Sequence, residues 1–314
     1  MHNRVSHKRL FILLALQIGV LLLLIFALAP RLGSTSKVVT SVADASWPFI
    51  LLSVVFYVSM YGFSAVAHGI LLPGKQRFQG LLAAQFAGGF ASRILPNGFG
   101  GSGFLVWHYH KKRTTWGRAV AIILINNGLG WLANTLFLIL FLPAIASEHI
   151  DFKLPSNLGA ATGIVAIVGL AIATFATVLV LGGYTKRAHH VWRQFTRSFA
   201  LFTRMPHALI GCFGANAAIS MLHALSLWAA LHSTGLHVSP FESLYILSVG
   251  VLAGSAVPVP GGVGSVEAGL LGTLAVFGQP FDASLSGVII YRSITIWLPV
   301  LVGYPIFFRL TAKK

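Results

Sequence analysis

The chain has 314 residues, 56% of them hydrophobic and only 9% charged, with a net charge of +16 and a mean hydropathy of +0.82. Soluble domains carry about a quarter charged residues, so this composition excludes a disordered chain, a secreted disulfide scaffold and an ordinary cytosolic enzyme, and indicates a polytopic membrane protein. The lone Cys212 excludes an internal disulfide and a cysteine-built metal cage, and the positive charge is read first as membrane orientation rather than as a nucleic-acid signal.

A membrane-spanning helix needs about 20 mostly apolar residues. Taken in chain order, six segments qualify: 10–29, 47–70, 119–142, 159–182, 208–231 and 285–309. The first is nearly a full span, is followed by further spans and lacks an A-x-A-like cleavage site, so it reads as a retained helix and not a cleaved signal. Two more apolar regions, 80–118 and 241–278, are broken near the middle. The breaks are Pro96-Asn97-Gly98-Phe99-Gly100-Gly101-Ser102-Gly103 and Pro258-Val259-Pro260-Gly261-Gly262-Val263-Gly264. Each arm is about 15 residues, too short to cross as a straight helix. Both regions are expected to be re-entrant hairpins, with half-helices meeting at a glycine-rich tip; the plainer alternative is a pair of kinked helices in an ordinary bundle.

Charge placement orients this plan. With the N-terminus and C-terminus in the cytoplasm, all of the 22 Lys and Arg fall in cytoplasmic segments except Arg31, Lys37 and Lys153 outside and Arg93 and Arg292 within apolar segments. Asp44, Glu148, Asp151, Glu242 and Asp282 fall outside, and Glu267 lies in the second hairpin. This is the bias that sets orientation in the cytoplasmic (inner) membrane. Residues 1–150 and 151–314 then each read span, span, hairpin, span, and both hairpins carry G-G-x-G. Three crossings per half make the second half inverted. The expected fold is an all-α integral membrane protein, six transmembrane helices plus two re-entrant helical hairpins, built as an inverted-topology repeat, which points to a transporter with a midplane site.

Within the second half, Val191, Phe195, Phe199 and Phe202 recur at helical steps over 185–205, with Lys186, Arg187, Arg193, Arg197 and Arg204 on the other faces. A basic amphipathic helix on the inner leaflet is expected there, attracting anionic lipids.

Three ionisable residues lie at membrane depth: Arg93, Glu267 and Arg292. Such residues face cavities and act, or pair with one another. Glu267 falls in the first turn of a half-helix with Ser265 as the expected N-cap, and a Glu267–Arg292 ion pair and a direct ligand role stand as two compatible readings. The glycine tips allow close backbone approach, and helix starts expected after Gly103 and Gly264 would favour a phosphate. The candidate substrate-binding set is Arg93, Pro96, Gly100, Gly101, Ser102, Pro258, Pro260, Gly261, Gly262, Gly264, Ser265, Glu267, Tyr291 and Arg292. No catalytic residue, metal or cofactor is expected: the membrane region holds one acid and no hydrolase, zinc or nucleotide motif occurs. His68 and His223 read as packing histidines, and Asn126, Asn127 and Asn134 as helix-packing residues.

Arg93-Ile94-Leu95-Pro96 with Gly100-Gly101, the run from Pro258 to Glu267, and Tyr291-Arg292 followed by Trp297-Leu298-Pro299 and Gly303 resemble the transmembrane, flippase-domain family named after lysylphosphatidylglycerol synthase. The run Pro258 to Glu267 looks like the family's P-x-P-G-G-x-G-x-x-E signature. Asn126-Asn127-Gly128 departs from the acidic or arginine-containing patch expected in that span. The soluble aminoacyl-transferring domain is not found in this chain. The resemblance therefore implies lipid translocation, not lipid aminoacylation. The function expected is a flippase-like translocase for an anionic or zwitterionic phospholipid or lipid-linked intermediate; the alternatives are a secondary carrier of a small soluble anion and a non-transporting partner of a lipid-modifying or glycosyltransferase enzyme. Expected partners are membrane phospholipids, with anionic inner-leaflet lipids at 185–205 and no nucleic acid; glycine-rich span faces permit a homodimer.

Overall fold

The computed structural model describes residues 35–94, 99–112, 114–149, 186–203, 205–256 and 262–312. The expected spans 10–29 and 159–182, and Pro96, Pro258, Pro260 and Gly261, lie outside the described residues. Ten helices and no strand occur among those described: α1 (Thr35–Ala43), α2 (Trp47–Leu71), α3 (Phe78–Ile94), α4 (Phe99–Lys111), α5 (Trp116–His149), α6 (Lys186–Thr203), α7 (Pro206–Ser233), α8 (Pro240–Ala256), α9 (Ser265–Val276) and α10 (Phe281–Ala312). Four are long and apolar enough to cross a membrane: α2, α5 over Trp116–Leu140, α7 and α10. They coincide with the four expected spans that fall on described residues.

The two broken regions are antiparallel helix pairs. In the first, Gly88 of α3 faces Leu105 of α4, and Gln85 Nε2 donates to Tyr109 Oη at 3.1 Å. In the second, Gly250 of α8 faces Leu270 of α9, and Tyr245 lies 6.1 Å from Phe277. At about 1.5 Å per residue, arms of 17, 13, 17 and 12 residues all fall short of a hydrocarbon core about 30 Å thick.

Helices α2 and α7 run antiparallel, side by side. Ser46 N donates to Ser233 O at 2.8 Å at one end. Further in, the buried Ser53 and Ser226 exchange hydroxyl-to-carbonyl bonds of 2.7 and 3.0 Å. Such paired hydroxyls hold spans together where lipid supplies no hydrophobic drive between helices.

Packing partners recur between the halves. Helix α3 lies on α10, and α8 on α5; α4 lies on α5, and α9 on α10; α2 touches α3 as α7 touches α8; α1 lies on α10 as α6 lies on α5. Two apolar cores result. One gathers Leu227, Leu231, Leu270, Leu274 and Val288, the other Ala65, Ala87, Phe104, Ile122 and Cys212. The charged residues of interest sit on the faces that α3 and α9 turn toward α10.

Helix α6 matches the amphipathic segment expected over 185–205. Its Phe202 is buried in the second core while Phe199 is exposed. Gln194 Oε1 accepts Gly117 N at 3.2 Å, tying α6 to the start of α5.

Candidate functional site

Pro299 stands inside α10. A proline there has no N–H for the carbonyl four residues earlier, so Thr295 O loses its helical donor. Two side chains replace it. Arg93 Nη2, from the end of α3, donates at 2.6 Å, and Tyr57 Oη, from α2, donates at 3.0 Å. Arg93 Nη2 also donates to Tyr57 Oη at 3.3 Å. Arg93 Nε is buried with no hydrogen-bond partner. No carboxylate forms an ion pair with Arg93 among the described residues.

One turn before Thr295 on α10, Arg292 Nε donates to Glu267 Oε1 at 2.6 Å, with both side chains largely buried. Glu267 Oε2 accepts Gly264 N at 2.7 Å. The expected N-cap at Ser265 is therefore corrected. Gly264 is the N-cap of α9, with φ of 90°, a conformation that glycine adopts without a Cβ penalty. Ser265 is the first helical residue, and its hydroxyl lies 3.4 Å from Gly262 O. Glu267 thus covers the positive end of α9 with its own carboxylate, so that this helix start carries an anion already.

Aromatic side chains surround both arginines. His223 of α7 packs 5.7 Å from Tyr57 and 5.8 Å from Tyr291, within electrostatic range of Arg93 and Arg292. Tyr57 meets Tyr61 edge-on at 5.7 Å, and Tyr61 stacks on Phe86 at 4.2 Å. Of the candidate set, the structure brings Arg93, Gly264, Glu267, Tyr291 and Arg292 into one cluster. Tyr57, Tyr61, His223 and Thr295 join them without having been singled out for the site in the sequence. The signal available for Thr295 was its place four residues before Pro299.

The first glycine tip goes elsewhere. Helix α4 starts at Phe99, not after Gly103, so Gly100, Gly101 and Ser102 form its first turn. A Cβ on Gly101 would sit 2.7 Å from Gly88 O of α3; close packing of the arms explains glycine in a helical turn. Ser102 Oγ is approached by Asn127 Nδ2 of α5 at 3.5 Å. Asn216 Nδ2 donates to Asn126 Oδ1 at 3.0 Å, and Ser248 Oγ to Asn134 Oδ1 at 3.3 Å, so these two asparagines of α5 bind neighbouring helices as expected. Among the described residues, no group of His, Cys, Asp and Glu could hold a metal ion.

Helices of this length and apolarity around a buried charged centre define a multi-pass membrane protein. The family described as lysylphosphatidylglycerol synthase TM region matches residues 12–303, and the chain belongs to it. No curated protein matches the sequence.

Proposed function

We propose that the protein is a lipid translocase of the cytoplasmic membrane, without enzymatic activity, that passes an anionic headgroup between leaflets through the Arg93–Arg292 cluster. The observation that carries this reading is the convergence of one cation from the first helix pair and an acid–cation pair from the second pair and α10 at a single aromatic-lined place. A charge near the bilayer centre costs about 3 kcal/mol or more, so an arginine kept there without a carboxylate among the described residues supports a site for a negatively charged ligand. Membership of a lipid-linked membrane family supports the same reading.

In this account α3–α4 and α8–α9 are re-entrant hairpins in an inverted repeat with six crossings. The recurring pattern of packing partners supports it, as do the short arms. The first hairpin enters from the cytoplasm, the second from outside, and they open in alternation. Both termini are cytoplasmic. Helix α6 rests on the inner leaflet, its exposed Arg193 and Arg197 drawing anionic lipids.

The test is leaflet exchange of labelled phospholipids in vesicles holding the full chain. Exchange above protein-free vesicles, lost in Arg93→Ala, Glu267→Ala and Arg292→Ala, supports the proposal. Exchange that survives all three unchanged removes the site, and no exchange at all removes the function.

A further inference from the structure

Counting charge at the cluster narrows the ligand. Arg292 and Glu267 cancel at 2.6 Å. Both carboxylate oxygens of Glu267 are engaged, one by Arg292 and one by Gly264 N, so its negative charge is already set against Arg292 and the positive end of α9. His223 packs between Tyr57 and Tyr291, and Tyr57 meets Tyr61, so the rest of the cluster is aromatic rings and hydroxyls. Among the described residues Arg93 has no carboxylate partner, and its Nε is a buried donor with no acceptor. A buried unpaired donor and a buried unpaired charge are both costly, and one ligand group relieves both when it is an acceptor bearing one negative charge.

Building on the translocase reading, we infer that the site selects a ligand of net charge −1 in the form of a phosphodiester with an uncharged remainder, such as a glycerol or polyol headgroup, and turns away lipids of net positive charge. The nonbridging oxygens of the phosphodiester accept from Arg93 Nε and from the hydroxyls of Tyr61 and Tyr291, and Arg93 gives up its bond to Thr295 O while Tyr57 keeps its one proton on that carbonyl. A phosphomonoester of charge −2 leaves a surplus negative charge at the site. A zwitterionic headgroup of net charge zero leaves the positive charge of Arg93 unbalanced. A lysyl-phosphatidylglycerol, of net charge +1, adds one more positive charge to a site that already has one.

The experiment measures exchange of trace labelled lipids in phosphatidylcholine vesicles containing the full chain. The probes are phosphatidylglycerol, phosphatidylcholine and lysyl-phosphatidylglycerol, of net charge −1, 0 and +1. The expected result is phosphatidylglycerol exchanging at least about tenfold faster than phosphatidylcholine, with the cationic lipid no faster than in protein-free vesicles. Arg93→Lys should keep the preference and Arg93→Gln should erase it, both variants being first checked for wild-type thermal unfolding. Equal exchange of all three lipids, or faster exchange of the cationic one, overturns the inference and leaves the translocase standing. A separate arm supplies soluble glycerophosphoglycerol outside the vesicles. Its uptake without lipid exchange overturns the translocase while keeping the phosphodiester; its exclusion, beside phosphatidylglycerol exchange, supports the lipid as the source.

Discussion

Arg93 Nη2 donates to Thr295 O at 2.6 Å, and it does so because Pro299 has taken away that carbonyl's own helical donor. A hydrogen bond lost within α10 is thereby replaced by one that ties α3 to α10. Pro299→Ala restores an N–H for Thr295 O and makes the arginine redundant there. Arg93→Ala is therefore expected to destabilise the Pro299→Ala variant less than the wild type, by about 1 kcal/mol. A double-mutant cycle of unfolding in detergent micelles measures this; strict additivity would contradict the link.

Glu267→Gln keeps the shape of the side chain but leaves Arg292 without its counter-charge. Removing one partner of a buried pair costs about 3 kcal/mol or more. Replacing both, as Glu267→Gln with Arg292→Met, is expected to recover most of that loss, since neither charge of the pair remains. Thermal unfolding of the two variants checks it, and a double variant less stable than Glu267→Gln would contradict the pairing.

Close approach of α3 and α10 gives a third prediction. A Cβ on Gly303 would run into Phe86 O and lie 2.8 Å from Phe90 Cβ, and one on Gly89 would lie 2.7 Å from Tyr61 Oη. Gly303→Ala meets backbone that cannot yield and is expected to cost about 1–3 kcal/mol. Gly89→Ala displaces the end of a tyrosine and should cost less in stability while disturbing the Tyr61–Phe86 stack beside Arg93. Gly272→Ala meets nothing within 4 Å and should gain up to about 1 kcal/mol from helix propensity. Unfolding midpoints of the three variants should rise in that order.

Much of this arrangement was legible in the order of residues. Apolar length marked α2, α5, α7 and α10, and the Gly-Pro breaks marked both helix pairs. Glu267 and Arg292 stood out because ionisable groups are rare in apolar runs. Tyr57 and His223 did not stand out, because a single polar ring in a span looks like packing; only the antiparallel register of α2 and α7 sets them face to face. Pro299 announced a carbonyl in need of a donor, yet which donor came depended on where α3 ends in space. Helix α9 does start after Gly264 as expected; the start of α4 and the cap of α9 were misplaced, each for a local reason. Contact with α3 draws Gly100 to Ser102 into the first turn of α4 against their propensity, and the positive φ of Gly264 moves the α9 cap one residue ahead of Ser265.

The central claim, that both helix pairs turn back inside the bilayer and meet from opposite sides, is tested most directly by aqueous labelling of single cysteines. In a Cys212→Ala background, cysteine is placed at Gln76 and Thr115, which flank α3–α4, and at His237 and Gln279, which flank α8–α9. An impermeant thiol reagent is expected to reach Gln76→Cys and Thr115→Cys only from the cytoplasmic side, and His237→Cys and Gln279→Cys only from the outer side. If the two positions flanking either pair were labelled from opposite sides, that pair would cross the membrane and the account would fail.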